Sequence, residues 1–195
     1  NAILLDPNLK EAYNNRGSAY YDLKKYDEAI RDFNYAIQLD PKDHEAYNNR
    51  GSAYSELGKY DEAFRDLNYA ILLDPKYSYA YNNRGYAYSD LKKYDEAIRD
   101  FNQAILLDPN LSPAYYNRGN AYYNLKKYDD AIRDFNNAIL LDPKYVNAYI
   151  SRGSAYYMLG KYDLAMADWK KALELNPNNQ SAKNNIEILQ NLMQQ

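Results

Sequence analysis

Arginine and aspartate recur along this chain at a spacing that suits them to each other. Arginines stand at 16, 50, 84, 118 and 152, and aspartates at 32, 66, 100, 134 and 168. A guanidinium fork and a carboxylate make paired charge-assisted hydrogen bonds. The arginines fall within an apolar stripe, where an unpartnered charge is costly. The expected chemistry is therefore a partly buried ion pair, such as Arg16 with Asp32, and not a row of ligand contacts. A second column, Asn15, Asn49, Asn83 and Asn117, carries primary amides. An amide both donates to and accepts from a peptide backbone. Two readings stand side by side for it: a ladder that holds an extended chain, or hydrogen bonds between neighbouring segments and to water.

Most catalytic chemistry lacks its residues. There is no cysteine, so thiol and disulfide chemistry are absent, and the one histidine, His44, opens a helix and reads as a solvated surface group. Zinc sites of imidazole and thiolate have no ligands here, and no cofactor is expected. No histidine–carboxylate dyad or phosphate-binding glycine loop is present, so the segment is not expected to be an enzyme. Lys and Arg number 24 against 27 Asp and Glu, with no basic block, which argues against nucleic acid as a partner. No window approaches the ~18 continuous apolar residues that would argue for a membrane partner. Mean hydropathy is low, -0.82, although 46% of residues are hydrophobic, because 25 are tyrosines. A tyrosine buries a large ring and keeps a polar tip. Fifteen of these 25 fall in the columns of Tyr13, Tyr20 and Tyr26, and an aromatic stripe at helical spacing reads as core.

The elements that position these residues follow from one period. Proline falls at 7, 41, 75, 109, 143 and 177, and glycine at 17, 51, 85, 119 and 153, always 34 apart. Full repeats then run 10–43, 44–77, 78–111, 112–145 and 146–179. Residues 1–9 read as the tail of a preceding repeat, and 180–195 as a capping helix with Ala182, Ile186, Leu189 and Leu192 turned to the last repeat. Each unit reads as two helices. Tyr13, Arg16, Ala19, Tyr20 and Leu23 share one face, and Tyr26, Ala29, Ile30, Phe33, Ala36 and Ile37 another. Lys24-Lys25 turns between them, with Gly58 or Gly160 at that turn elsewhere. Asp27-Glu28 opens the second helix at the positive end of its dipole, and Asp40-Pro41 closes it.

Tyr13-x2-Arg16-Gly17-x2-Tyr20, Ala29-x3-Phe33 and Pro41 resemble the tetratricopeptide signature, five times over. Tyr13 stands where the family usually has Trp, and Arg16 where it usually has Leu. The resemblance implies an all-α, right-handed solenoid of stacked antiparallel hairpins whose first helices line a concave groove. Transferred onto this chain, repeat one shows Glu11, Asn14, Asn15, Ser18, Tyr21 and Asp22. Repeat two shows Glu45, Asn48, Asn49, Ser52, Ser55 and Glu56. Repeat three shows Tyr79, Asn82, Asn83, Tyr86, Ser89 and Asp90. Repeat four shows Pro113, Tyr116, Asn117, Asn120, Tyr123 and Asn124. Repeat five shows Asn147, Ile150, Ser151, Ser154, Tyr157 and Met158.

The implied function is a scaffold that binds an extended peptide or partner helix. The acidic lining of the first three repeats points to basic residues at one end of that partner, and the uncharged lining of the last two to apolar or aromatic residues at the other. The family's carboxylate clamp for acidic chaperone tails needs Lys, Asn and Arg at places that here hold Asn14, Ser18, Asn49, Tyr79 and Asn83. Only Asn49 fits, so chaperone-tail binding by that route is not expected. Two alternatives stand: a targeting or regulatory module of a larger enzyme, and a consensus-type array kept for architecture alone. Residues 1–9, as half a hairpin, also suggest end-to-end self-association.

Overall fold

The computed structural model describes residues 9–193, and among them there are eleven α-helices and no strand. In chain order these are α1 (Lys10–Asp22), α2 (Tyr26–Leu39), α3 (His44–Glu56), α4 (Tyr60–Leu73), α5 (Ser78–Asp90) and α6 (Tyr94–Leu107). Then follow α7 (Ser112–Asn124), α8 (Tyr128–Leu141), α9 (Val146–Met158), α10 (Tyr162–Leu175) and α11 (Gln180–Met193). Apart from Leu9, the tail expected over residues 1–9, and with it the end-to-end contact, lies outside the described residues. The chain forms two compact units, Asn1–Leu107 and Asp108–Gln195, each a stack of hairpins.

Backbone chemistry at the turns fixes each hairpin. The residue after the first helix's C-cap takes a left-handed conformation: Lys24 (φ 58°), Gly58 (70°), Lys92 (59°), Lys126 (60°) and Gly160 (70°). The Lys24 N–H donates to the Tyr21 carbonyl and the Lys25 N–H to that of Tyr20, at 2.8 and 2.9 Å, a Schellman closure. Each second helix ends at a residue held extended before Pro, as at Asp40 (φ -138°). The Asp40 carboxylate then accepts from the Lys42 N–H at 3.0 Å.

The core is built of small residues on the first helix facing large ones on the second. Phe33, Leu67, Phe101 and Phe135 are completely buried, and Trp169 nearly so. The ring of Phe33 lies so close to Gly17 that a Cβ there would sit 2.6 Å from Cε1. Ala29, Ala36 and their equivalents at 63, 70, 97, 104, 131, 138, 165 and 172 are likewise fully buried. Within each unit, first helices of neighbouring hairpins touch one another, whereas second helices meet only first helices. The first helices therefore form the crowded inner side of each stack.

Every arginine of the 34-residue column finds its aspartate. Arg16, Arg50, Arg84, Arg118 and Arg152 each donate from Nε and Nη2 to both oxygens of Asp32, Asp66, Asp100, Asp134 and Asp168, at 2.6–2.8 Å. All five carboxylates are buried. Each guanidinium also lies over the tyrosine three residues earlier, 5.3–5.7 Å from the ring centre. Arg50, Arg84 and Arg152 donate from Nη1 to Asn34, Asn68 and Asn136 of the preceding repeat. One side chain thus ties the two helices of its own hairpin to the hairpin before, which leaves it little to offer a ligand.

The terminal helix α11 differs in part from expectation. Ala182 and Leu189 are buried against a cluster that contains Trp169, and Ile186 packs on it. Leu192 is 42% exposed, so it does not cover the last repeat. Three residues separate it from Leu189, about 300° of helical rotation, but burial fades towards the end of α11.

Candidate peptide-binding surface

The inner side of unit 1 is organised by asparagines. Asn49 Nδ2 donates to Asn14 Oδ1 at 3.1 Å, and Asn48 Nδ2 to Asn49 Oδ1 at 3.1 Å. Asn83 Nδ2 donates to Asn48 Oδ1 at 2.9 Å, and Asn82 Nδ2 to Asn83 Oδ1 at 3.1 Å. Five amides thus form one chain of hydrogen bonds, all running the same way, across α1, α3 and α5. Such a chain polarises its members cooperatively.

This arrangement engages three of the expected groove residues between helices. Asn14, Asn48 and Asn82 are buried, 3–9% exposed, so that Asn14 and Asn48 reach the pockets of unit 1 only at their edges and offer a ligand little surface. They sit where adjacent first helices touch, and a buried amide needs a partner. For the ladder residues Asn49 and Asn83 the bridge between repeats is real. Each keeps one N–H and one oxygen lone pair beyond those bonds, because a primary amide has two of each. Asn15 is exposed on α1.

Ser18, Tyr21, Asp22, Asn48, Asn49, Ser52, Tyr79 and Asn83 meet at a pocket of about 360 Å3 in unit 1, with Phe33 and Tyr77 in its wall. Tyr77 was not anticipated. It precedes α5, where Asp43 caps α3 by accepting from the N–H groups of Glu45 and Ala46. An aromatic residue at a capping position was the available signal. The Tyr77 ring packs on Tyr79 (5.6 Å) and His44 (4.7 Å). Burial, with Glu45 close by, raises its hydroxyl well above the usual tyrosine range.

Glu11, Asn14, Asn15 and Glu45 gather at a second pocket of about 320 Å3, at the N-terminal ends of α1 and α3. Lys10, Asp40, Lys42, Asp43 and His44 also line it. Lys10 is engaged with Asp40 at 2.5 Å and Asp43 at 3.4 Å. Glu56, Tyr86 and Asp90 lie near the C-terminal ends of α3 and α5, outside both pockets.

In unit 2, Asn120, Tyr123, Asn124, Ser151 and Ser154 line a pocket of about 250 Å3 that holds no charged side chain. Asn117 is half-buried on α7. Three residues expected to give this half an apolar lining are instead largely engaged in packing. Tyr116 lies against Tyr145 (4.9 Å) and Phe135 (5.9 Å). Ile150 packs on the Trp169 cluster, where its carbonyl accepts from the indole N–H at 3.2 Å. Tyr157 packs against Tyr162 and Trp169. Tyr116 and Ile150 hold the repeat position that Asn14, Asn48 and Asn82 hold in the other unit, and Tyr157 that of Tyr21. Met158, 49% exposed, keeps an apolar surface.

The tetratricopeptide-repeat family profile matches residues 44–77, 78–111, 112–145 and 146–179, and a second TPR-repeat profile matches 17–58. No curated protein matches in sequence. Among solved structures, the chain is similar to MamA at 29% identity, covering 86% of this chain and 92% of that one, TM-score 0.66. It is similar in fold to a thermophilic TPR protein of Thermus thermophilus at 22% identity, covering 92% and 98%, TM-score 0.82. It also resembles the first TPR of Spaghetti, solved bound to the HSP90 peptide SRMEEVD, at 34% identity, covering 63% and 97%, TM-score 0.60.

Proposed function

Because this chain belongs to the tetratricopeptide-repeat family, whose arrays serve as protein-interaction scaffolds, we propose that it holds an extended protein segment along its first helices. One observation carries this reading. Asn49 and Asn83 line the unit 1 pocket with donor and acceptor capacity left over after their bonds to neighbouring repeats. That capacity suits the alternating N–H and C=O groups of a peptide backbone and reads no side chain.

Direction comes from charge. In unit 1 the inner face carries Glu11, Asp22, Glu45, Glu56 and Asp90, which favours a segment with basic residues there. In unit 2 the uncharged pocket at Tyr123 and Ser154, with Met158 exposed four residues past Ser154 on α9, favours an apolar or aromatic stretch. The acidic peptide seen with Spaghetti is a poor guide to this chain's partner. Here Asn14 is buried as the last acceptor of the amide chain, and the Ser18 hydroxyl donates to the Asn14 carbonyl at 3.0 Å.

A peptide array probed with the intact chain tests the proposal. Basic-to-apolar segments should be retained, and Asn83→Ala with Asn117→Ala should weaken them while the helical signal persists. Selection of acidic segments, or binding unaffected by the double variant, would refute it.

A further inference from the structure

Asp22, Glu56 and Asp90 are each the last residue of a first helix, α1, α3 and α5, and no basic residue stands in any of those last turns. A helix C-terminus carries partial negative charge, so a carboxylate there is disfavoured. The sequence makes this unfavourable choice three times running, and in unit 2 replaces the same position by Asn124 and Met158.

Two of the three carboxylates sit among tyrosines. Tyr26 Oη donates to Glu56 Oε2 at 3.3 Å, and the Tyr26 and Tyr21 rings meet edge-on with centres 5.4 Å apart. Tyr86, on α5, is 38% exposed. Burial, with Asp90 and Glu56 close by, pushes its hydroxyl up to about 12. Burial and the Glu56 charge also raise the Asp90 carboxyl above its ordinary value. Among the described residues no ion pair reaches Glu56 or Asp90, although Lys59 and Lys93 follow in the adjoining turns. Ser55 takes in α3 the repeat position that Tyr21 holds in α1, which directs it to the same side. It is 3% exposed and its hydroxyl has no protein partner.

We propose that Glu56, Asp90 and the rings of Tyr21, Tyr26 and Tyr86 form a subsite for a guanidinium side chain of the bound segment. The inference rests on the peptide-binding reading above and names the chemistry of one residue of the partner. A guanidinium offers its edge donors to carboxylates while its flat face lies on an aromatic ring. A cation there would relieve both the mutual repulsion of the two carboxylates and their clash with the helix ends. A lysine ammonium satisfies the charge but lacks the planar fork.

The test uses the intact chain with ring-labelled tyrosines, observed by NMR, and N-acetyl-arginine methylamide as the probe. Saturable shifts are expected at Tyr21, Tyr26 and Tyr86. The uncharged citrulline analogue should give none. Glu56→Gln with Asp90→Asn should weaken the arginine probe roughly tenfold or more. That double variant removes repulsion, so it should melt no lower than the parent, and a loss of binding is then not a loss of fold. In a second arm, a Gly-Ser peptide with one central arginine is compared with basic segments retained on the array. If the probe gives no saturable shift, or the citrulline analogue matches it, or the double variant binds it equally, the subsite is overturned even where peptides still bind. If the probe binds as described and no peptide does, the subsite stands and the peptide-binding reading fails.

Discussion

Replacing Asp100 by alanine isolates the interaction that most distinguishes this array from its family's usual leucine. Asp100 is 7% exposed and receives both Arg84 hydrogen bonds at 2.7 Å. Removing one partner of a buried pair typically destabilises by about 3–5 kcal/mol, because the other charge is left without a partner. Here Arg84 would keep Asn68 Oδ1 at 2.7 Å, the Tyr81 ring at 5.6 Å and its own 21% side-chain exposure. These softening contacts place the loss at the low end, about 3 kcal/mol. Asp32→Ala makes the internal comparison. Arg16 is 46% exposed, so its freed guanidinium rehydrates, and about 1–2 kcal/mol is expected. Urea unfolding followed by circular dichroism gives both values. Because repeat arrays fray from their ends, amide exchange in α5 and α6 should locate the Asp100 effect. A double variant, Arg84→Leu with Asp100→Leu, should lose less than Asp100→Ala, since an apolar pair leaves no stranded charge. A loss under about 1 kcal/mol for Asp100→Ala, or equal losses at 32 and 100, would refute the argument that burial of the pair sets its value.

Three further outcomes follow from geometry. Gly85→Ala should destabilise by roughly 1–3 kcal/mol in urea melts, since the new Cβ would lie 2.7 Å from Phe101 Cε1 and 3.1 Å from the Ala97 carbonyl oxygen. Lys92→Gly should stabilise by about 1 kcal/mol, because Lys92 holds φ 59° where a side chain is strained, and Gly58→Ala should lose a similar amount at φ 70° although open space surrounds it. Alkaline pH should unfold the chain. Burial raises Tyr21, Tyr77 and Tyr145 above the ordinary 10, and Tyr86 to about 12. The folded state holds these protons where the unfolded chain releases them, so stability is intact below pH 10 and falls as pH rises towards 12. Tyrosinate absorbance and helicity should change together, and tyrosinate appearing with helicity intact would count against that assignment.

The fold was legible in the sequence because its signals repeat. Five copies of a 34-residue pattern average out local ambiguity, and the Arg and Asp columns share one period, so each charge announces its partner. The surface was legible only in part. Asn14 and Asn15 are neighbours in sequence, about 100° apart around α1, and a pattern of periods does not say which is trapped between helices. The rotation of each first helix decides that, and it is set by how closely Gly17 and Phe33 let the hairpin close. The same rotation buries Asn48 and Asn82, and it hands their places to Tyr116 and Ile150 in unit 2. Tyr77 and Phe33 were missed as pocket walls because one precedes a helix and the other belongs to a second helix. What the sequence does reveal about recognition lies where the repeat breaks a rule of local stability. Asp22, Glu56 and Asp90 oppose the dipoles of their own helices, which no requirement of folding explains. Asn124 and Met158 at the same position show that the scaffold tolerates neutral residues there. Under the proposed reading, a choice that the scaffold neither needs nor benefits from answers to a bound segment, and an anionic patch among tyrosines would specify that segment's charge more sharply than its shape.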